Sequence, residues 1–121
     1  MILVVDDETT VRALVRTILE HAGQEVVEAA TAEEALDVLR VRSPDVLLTD
    51  IVMPGMNGLA LAAQAHQLRP TMPVIFMSGF AARYADELIG SICLRKPFTS
   101  SQLLLAINDV FALEKTTRRM P

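Results

Sequence analysis

Val46-Leu47-Leu48-Thr49-Asp50-Ile51-Val52-Met53-Pro54-Gly55-Met56-Asn57-Gly58 is the stretch that decides how this chain folds. Its first four residues form an apolar run of strand length, and Asp50 closes that run just before a segment rich in turn formers. A continuously apolar strand is buried on both faces, as in a parallel sheet covered by helices. A carboxylate at its end is presented by a rigid strand tip.

Two other parts of the chain repeat this arrangement. Ile2-Leu3-Val4-Val5 runs into Asp6-Asp7-Glu8, and Ile92-Cys93-Leu94 runs through Arg95 into Lys96-Pro97-Phe98. Three strand ends therefore carry charge. If the strands lie side by side, Asp6, Asp7 and Asp50 crowd one end of the sheet, which repulsion and desolvation make costly unless a divalent cation binds.

Helical and strand-like periods alternate along the rest of the chain. Residues 9–22 carry Val11, Leu14, Val15, Ile18, Leu19 and Ala22 at three- and four-residue spacing, and Gly23 stops that helix. Residues 25–29 alternate polar and apolar as a second strand does. Thr31 with Glu34 is a capping box for a helix to about Val41, ended before Ser43-Pro44. Pro54-Gly55 suits a turn in which glycine takes positive φ, and Gly58 lets the next helix, 58–68, start close to the sheet. Arg69-Pro70 closes that helix, and Val74-Ile75-Phe76-Met77 is a fourth strand reaching Ser78-Gly79. Residues 81–90 are expected to form a further helix before the fifth strand at 92–94. Thr99 with Gln102 caps the last helix, with Leu103, Leu104, Ile107, Val110 and Phe111 inward.

Strands one, three and four are continuously apolar, which places them centrally; the second alternates and the fifth is short, which places both at edges. With right-handed crossovers, the fold class is α/β: a doubly wound, five-stranded parallel sheet of order 2-1-3-4-5 in a three-layer αβα, flavodoxin-like arrangement. Strands one and three are then neighbours, and Asp6, Asp7 and Asp50 meet at the topological switch point, where open α/β sheets bind ligands.

The 121 residues suffice for one domain with its own core, expected over 1–113, with 114–121 as a short charged tail or linker stub. Hydrophobic residues are 51% of the chain and aromatics only 4%, so the core is aliphatic. The formal charge of -4 argues against direct nucleic-acid binding, which needs a basic stripe. No run is long and apolar enough for membrane insertion, and Met1 leads straight into a strand. A single cysteine, Cys93, permits no internal disulfide; with the absence of a leader this gives a cytoplasmic expectation. His21 and His66 lack partners at metal spacing and read as surface histidines.

Asp6-Asp7, Asp50, Met53-Pro54-Gly55-Met56-Asn57-Gly58, Ser78 and Lys96-Pro97-Phe98 together resemble the receiver domain of two-component response regulators, over about residues 2–111. The segments around Asp50 and Phe76-Met77-Ser78-Gly79-Phe80 are similar to receivers carried by hybrid sensor histidine kinases. The resemblance implies that Asp50 is the phosphoacceptor, taking a phosphoryl group from a histidine kinase or a histidine phosphotransfer domain. It implies Mg2+ held by Asp7, Asp50 and the Val52 backbone carbonyl, with Asp6 acting through water. Ser78 and Lys96 are implied as the groups that meet the phosphoryl oxygens, and Lys96-Pro97 as a cis peptide. No enzyme is expected beyond Mg2+-dependent self-phosphorylation and slow self-dephosphorylation, although the parent protein could be a hybrid kinase. A phosphorylation-dependent dimer is left open.

These roles also have a physical rationale. Phosphoryl transfer spreads charge over equatorial oxygens, so the protein must position groups and supply cations, here Mg2+ and Lys96. The chain departs from its relatives at the switch position three residues before the lysine, where an aromatic is usual and Cys93 stands. Any rearrangement is therefore expected through residues 78–84 and Phe98, with Phe80 and Tyr84 as the nearby aromatics. Three rivals are weighed. A haloacid-dehalogenase-type hydrolase needs an Asp two residues past the nucleophile, where this chain has Val52. A flavodoxin-type cofactor module conflicts with Asp6-Asp7-Glu8, which would repel a phosphate. An unphosphorylated receiver-like adaptor remains the alternative, against which stands the full set of acceptor, metal and lysine positions.

Overall fold

The computed structural model describes residues 1–79, 81–84, 86–88 and 91–119. The elements run β1 (Ile2–Val5), α1 (Thr9–His21), β2 (Val26–Ala29), α2 (Ala32–Val41), β3 (Val46–Asp50), α3 (Gly58–Leu68), β4 (Val74–Ser78), β5 (Ile92–Arg95) and α4 (Ser100–Arg119). All strand pairs are parallel, in the order β2-β1-β3-β4-β5.

Alternation of side chains along the central strands builds two cores. Ile2, Val4 and Leu48 point to one face and pack against Val15 and Leu19 of α1 and Leu103 and Ile107 of α4. Leu3, Val5 and Leu47 point to the other, against Leu36 and Leu39 of α2 and Leu61 of α3. Among the described residues, two α-helices on each face make the αβα layering. The central strands have no solvent-facing side, which is why their sequences are apolar throughout. Each fully buried Leu or Ile supplies about 1.5–3 kcal/mol of transfer free energy.

Local chemistry sets the helix ends. Gly23 follows α1 at φ +86, a conformation that a Cβ disfavours. Thr31 Oγ1 accepts from the Glu34 N–H at 3.1 Å, and Glu34 reaches back to the N–H of Ala30, one residue short of the expected partner. Thr99 and Gln102 complete the reciprocal box on α4, at 2.8 and 3.1 Å. Asn57 caps α3 by accepting from the Ala60 N–H at 2.9 Å.

Two expectations are corrected. Residues 81–90 form no α-helix among those described: a 3₁₀ turn spans Ala81–Tyr84, and the chain turns again through Leu88 before β5. Among the side chains described in this segment, Tyr84 and Leu88 pack against a small cluster of Ile51, Ala62 and Phe76. A helix of this length is marginal on propensity alone. Leu14 is 57% exposed rather than inward, and Ala22 is exposed beyond the end of α1. Successive helical residues are about 100° apart, so Leu14 lies on the flank of a stripe centred on Val15 and Leu19. The backbone of α4 runs on past Phe111 to Arg119.

Candidate functional site

Parallel alignment brings the carboxyl ends of β1, β3, β4 and β5 to one rim of the sheet. Val5 pairs in register with Thr49, so Asp6 and Asp50 follow at the same level on adjacent strands. Asp50 in turn pairs with Met77, and Ser78 with Arg95, which carries Ser78 and Lys96 to the same rim. One carboxylate oxygen from each of Asp6, Asp7 and Asp50 lies within 4.8 Å of the others. Asp6 is wholly buried and Asp50 nearly so, whereas Asp7 is exposed.

Lys96 spans the two buried acids, with Nζ 2.9 Å from Asp6 Oδ2 and 3.2 Å from Asp50 Oδ2. The other Asp6 oxygen, Oδ1, accepts from the Glu8 N–H at 2.9 Å. The Lys96 N–H donates to the Ser78 carbonyl at 2.9 Å, and the Lys96–Pro97 peptide is cis. Ser78 is buried at the end of β4. Val52, two residues past the β3 tip, is 45% exposed. Gly55 turns the loop at φ +78, and Gly58 brings α3 against the strand tip, its N–H donating to the Ile51 carbonyl at 2.8 Å. A Cβ on Gly58 would lie 2.1 Å from the Asp50 carbonyl oxygen.

Not every singled-out residue joins this rim. Cys93 lies three residues earlier on β5, half-buried against the Ile51–Ala62–Phe76 cluster, where burial pushes its thiol up. His21 and His66 are exposed on α1 and α3. Phe80 falls outside the described residues. The sequence reading missed Arg12, whose Nη1 donates to the Asp6 carbonyl at 2.7 Å and whose Nε donates to Glu28 Oε1 at 3.0 Å. The available signal was Glu28, a charge inside an otherwise apolar strand, with Arg12 and Arg16 one helical turn apart on α1.

Burial holds the Asp50 carboxyl above its usual range; the charge of Lys96 opposes this and that of Asp6 adds to it. Burial also works against the Lys96 ammonium, but its bond to Asp6 and the field of Asp50 prevail and hold it above its ordinary value. The folded protein thus retains the Asp50 proton to higher pH than the unfolded chain does. This group's favourable contribution is lost as pH rises from the ordinary carboxylate value through the raised one. Lys96 acts in the opposite region: its contribution is full below its ordinary value and is lost only in the alkaline range as pH passes the raised one. Asp50→Asn, which imitates the neutral acid, is expected to melt above the parent at pH 7 in chelator-containing buffer. The advantage should vanish near about pH 3, where both forms are uncharged. A variant that melts at or below the parent at pH 7 would show that the Lys96 pair outweighs desolvation.

Oxygen donors of this kind, three carboxylates at a partly open rim, fit a hard divalent cation. The acidic cluster could therefore hold a metal ion.

Comparison with known proteins agrees with this geometry. The family model for the response regulator receiver domain matches residues 2–108. Among curated relatives, the DNA-binding transcriptional regulator NtrC of Klebsiella pneumoniae is 44% identical over 75 residues, 62% of this chain and 16% of that protein. The autoinducer 1 sensor kinase/phosphatase LuxN of Vibrio campbellii is 31% identical over 105 residues, 84% of this chain and 12% of that protein. The chain thus spans about a sixth or less of the length of these two relatives. A crystal structure of a response regulator receiver domain protein from Clostridium thermocellum superposes with a TM-score of 0.87 at 32% identity, over 96% of this chain and 97% of that one. A match across nearly the whole sheet, by sequence and by fold, means that the chain belongs to the response regulator receiver domains of two-component systems.

Proposed function

We propose that Asp50 is the phosphoacceptor, taking a phosphoryl group from a histidine kinase or a histidine phosphotransfer domain with the help of Mg2+. The observation that carries this reading is the convergence of three carboxylates within 4.8 Å beside a lysine that contacts two of them. An Asp50 oxygen attacks phosphorus, the P–N bond to the donor imidazole breaks, and the imidazole leaves with the electron pair. As charge moves onto the phosphoryl oxygens, Lys96 donates to one of them and the Ser78 hydroxyl to another. Both Asp6 oxygens already accept from protein donors, which supports Asp7, Asp50 and the Val52 carbonyl as direct ligands and Asp6 as a ligand through water. When bound, Mg2+ would neutralise charge at the acceptor and on the transferred group.

Residues 1–113 form the proposed domain and 114–121 its linker. The protein's own reaction is confined to gaining and slowly losing the phosphoryl group. A negative chain with one cysteine supports cytoplasmic action through protein contacts rather than nucleic acid, with dimerisation on phosphorylation as one route. No helix among the described residues is long and apolar enough to cross a membrane. Since Cys93 packs in a small apolar cluster with Tyr84, the outward signal is proposed to run through residues 78–84 and Phe98.

The test is incubation with acetyl phosphate and Mg2+, followed by mass spectrometry. One phosphoryl group per chain, located on Asp50, is expected; a label on another residue would refute the assignment. Mg2+ should also stabilise the fold, because only the native state gathers the three carboxylates. At a hundred times its dissociation constant the gain is about 2.7 kcal/mol, or several degrees of melting temperature for a domain of this size. Asp7→Asn should lose most of it. Coincident parent melts with and without Mg2+ would remove the metal from the proposal.

A further inference from the structure

The strongest feature outside the acidic rim is a chain of ion pairs that ends on it. Arg16 Nη1 holds Glu28 Oε2 at 2.7 Å, Glu28 Oε1 holds Arg12 Nε at 3.0 Å, and Arg12 Nη1 donates to the Asp6 carbonyl at 2.7 Å. The Arg12 side chain is only 15% exposed and that of Glu28 27%. Asp6 is otherwise pinned on three sides: its N–H donates to the Ala29 carbonyl at 3.2 Å, its Oδ1 accepts from Glu8, and its Oδ2 meets Lys96. Its carbonyl is the remaining main-chain handle, and it belongs to the peptide unit that joins Asp6 to Asp7.

That unit is planar. Fixing its C=O toward α1 fixes the Asp7 N–H on the opposite side and the axis of the Asp7 N–Cα bond, which narrows the directions in which the Asp7 side chain can leave the loop. Asp7 is exposed, so it lacks the packing that orients Asp6 and Asp50. We infer that Arg12, aimed by Glu28, is a positioning residue that orients Asp7 for the divalent cation. The inference rests on the proposed metal role of Asp7.

Arginine suits this task because its planar fork sends separate N–H groups to a carbonyl and a carboxylate at once. A lysine ammonium keeps the charge beside Glu28 but not the two fixed directions. This difference separates positioning from a merely structural tie between α1 and β2, which Arg12→Lys would largely preserve.

The experiment measures Mg2+ affinity from amide chemical-shift titrations, alongside metal-free melts, for the parent, Arg12→Ala, Arg12→Lys, Glu28→Gln and Asp7→Asn. Arg12→Ala is expected to weaken Mg2+ binding by about tenfold, in the range seen when partners of metal ligands are removed. Arg12→Lys should recover most of the metal-free melting temperature yet little of the affinity, and Glu28→Gln should weaken binding by less. If Arg12→Ala fails to fold, the Lys and Gln variants decide. Parent-like affinity in the folded Arg12 variants, with Asp7→Asn still impaired, overturns the inference alone. A parent that binds no Mg2+, or an Asp7→Asn variant that binds as tightly as the parent, overturns the metal reading and this inference with it.

Discussion

Asp50→Asn is expected to abolish phosphoryl labelling by acetyl phosphate while leaving the fold intact. The amide cannot supply an anionic oxygen to attack phosphorus, and no other carboxylate combines its features. Asp6 is spoken for by Lys96 and the Glu8 N–H, and Asp7 sits in solvent. Removing a nucleophile commonly costs several orders of magnitude in rate, so the label should fall below detection. The comparison requires a folded variant, which the predicted rise in metal-free melting temperature would document in the same sample. Equal labelling of parent and variant would place the acceptor elsewhere.

Gly58→Ala is expected to be among the most disruptive single-methyl changes in the molecule. The new Cβ would lie 2.1 Å from the Asp50 carbonyl oxygen, 2.9 Å from its carbon and 3.0 Å from the Ile51 Cα, all main-chain atoms of a buried strand tip. None can swing aside as a side-chain end would. Either α3 lifts off the sheet, breaking the bond from the Gly58 N–H to the Ile51 carbonyl, or the tip that bears Asp50 moves. A cost of roughly 3 kcal/mol or more is expected, with slower labelling in whatever protein remains folded. Gly23→Ala is the control: its φ of +86 is strained, but nothing lies within 4 Å of the added carbon. It should cost about 1 kcal/mol. Urea denaturation of both variants measures the difference, and similar losses would mean that the α3 contact relaxes cheaply.

The sheet and most helix ends were legible because their determinants are local. Asn57 and Pro70 bracket α3, and the continuously apolar runs of β1, β3 and β4 state their own burial. Strand-end acids and the lysine were legible for the same reason: once the strand order is known, position on the rim follows from register. Residues 81–90 were not, because their Ala-rich composition favours helix, whereas for so short a segment tertiary packing decides and the local sequence does not state it. Leu14 failed for a related reason, since its spacing matches the stripe but the sheet covers only one side of it. Arg12 escaped notice because its target is a backbone carbonyl, which has no signature in the sequence.

The two outermost strands determine how molecules meet at high concentration. β2 and β5 are each four residues long, and both interrupt their apolar character with charge: Glu28 bracketed by two guanidiniums, and Arg95 exposed at the end of its strand. A visiting strand would find a short edge to pair with and would have to desolvate an ion pair to extend the sheet. The flanks of the fold therefore discourage intermolecular sheet growth, and at the β2 edge the ion pair that does so is the one whose Arg12 also holds the Asp6 carbonyl.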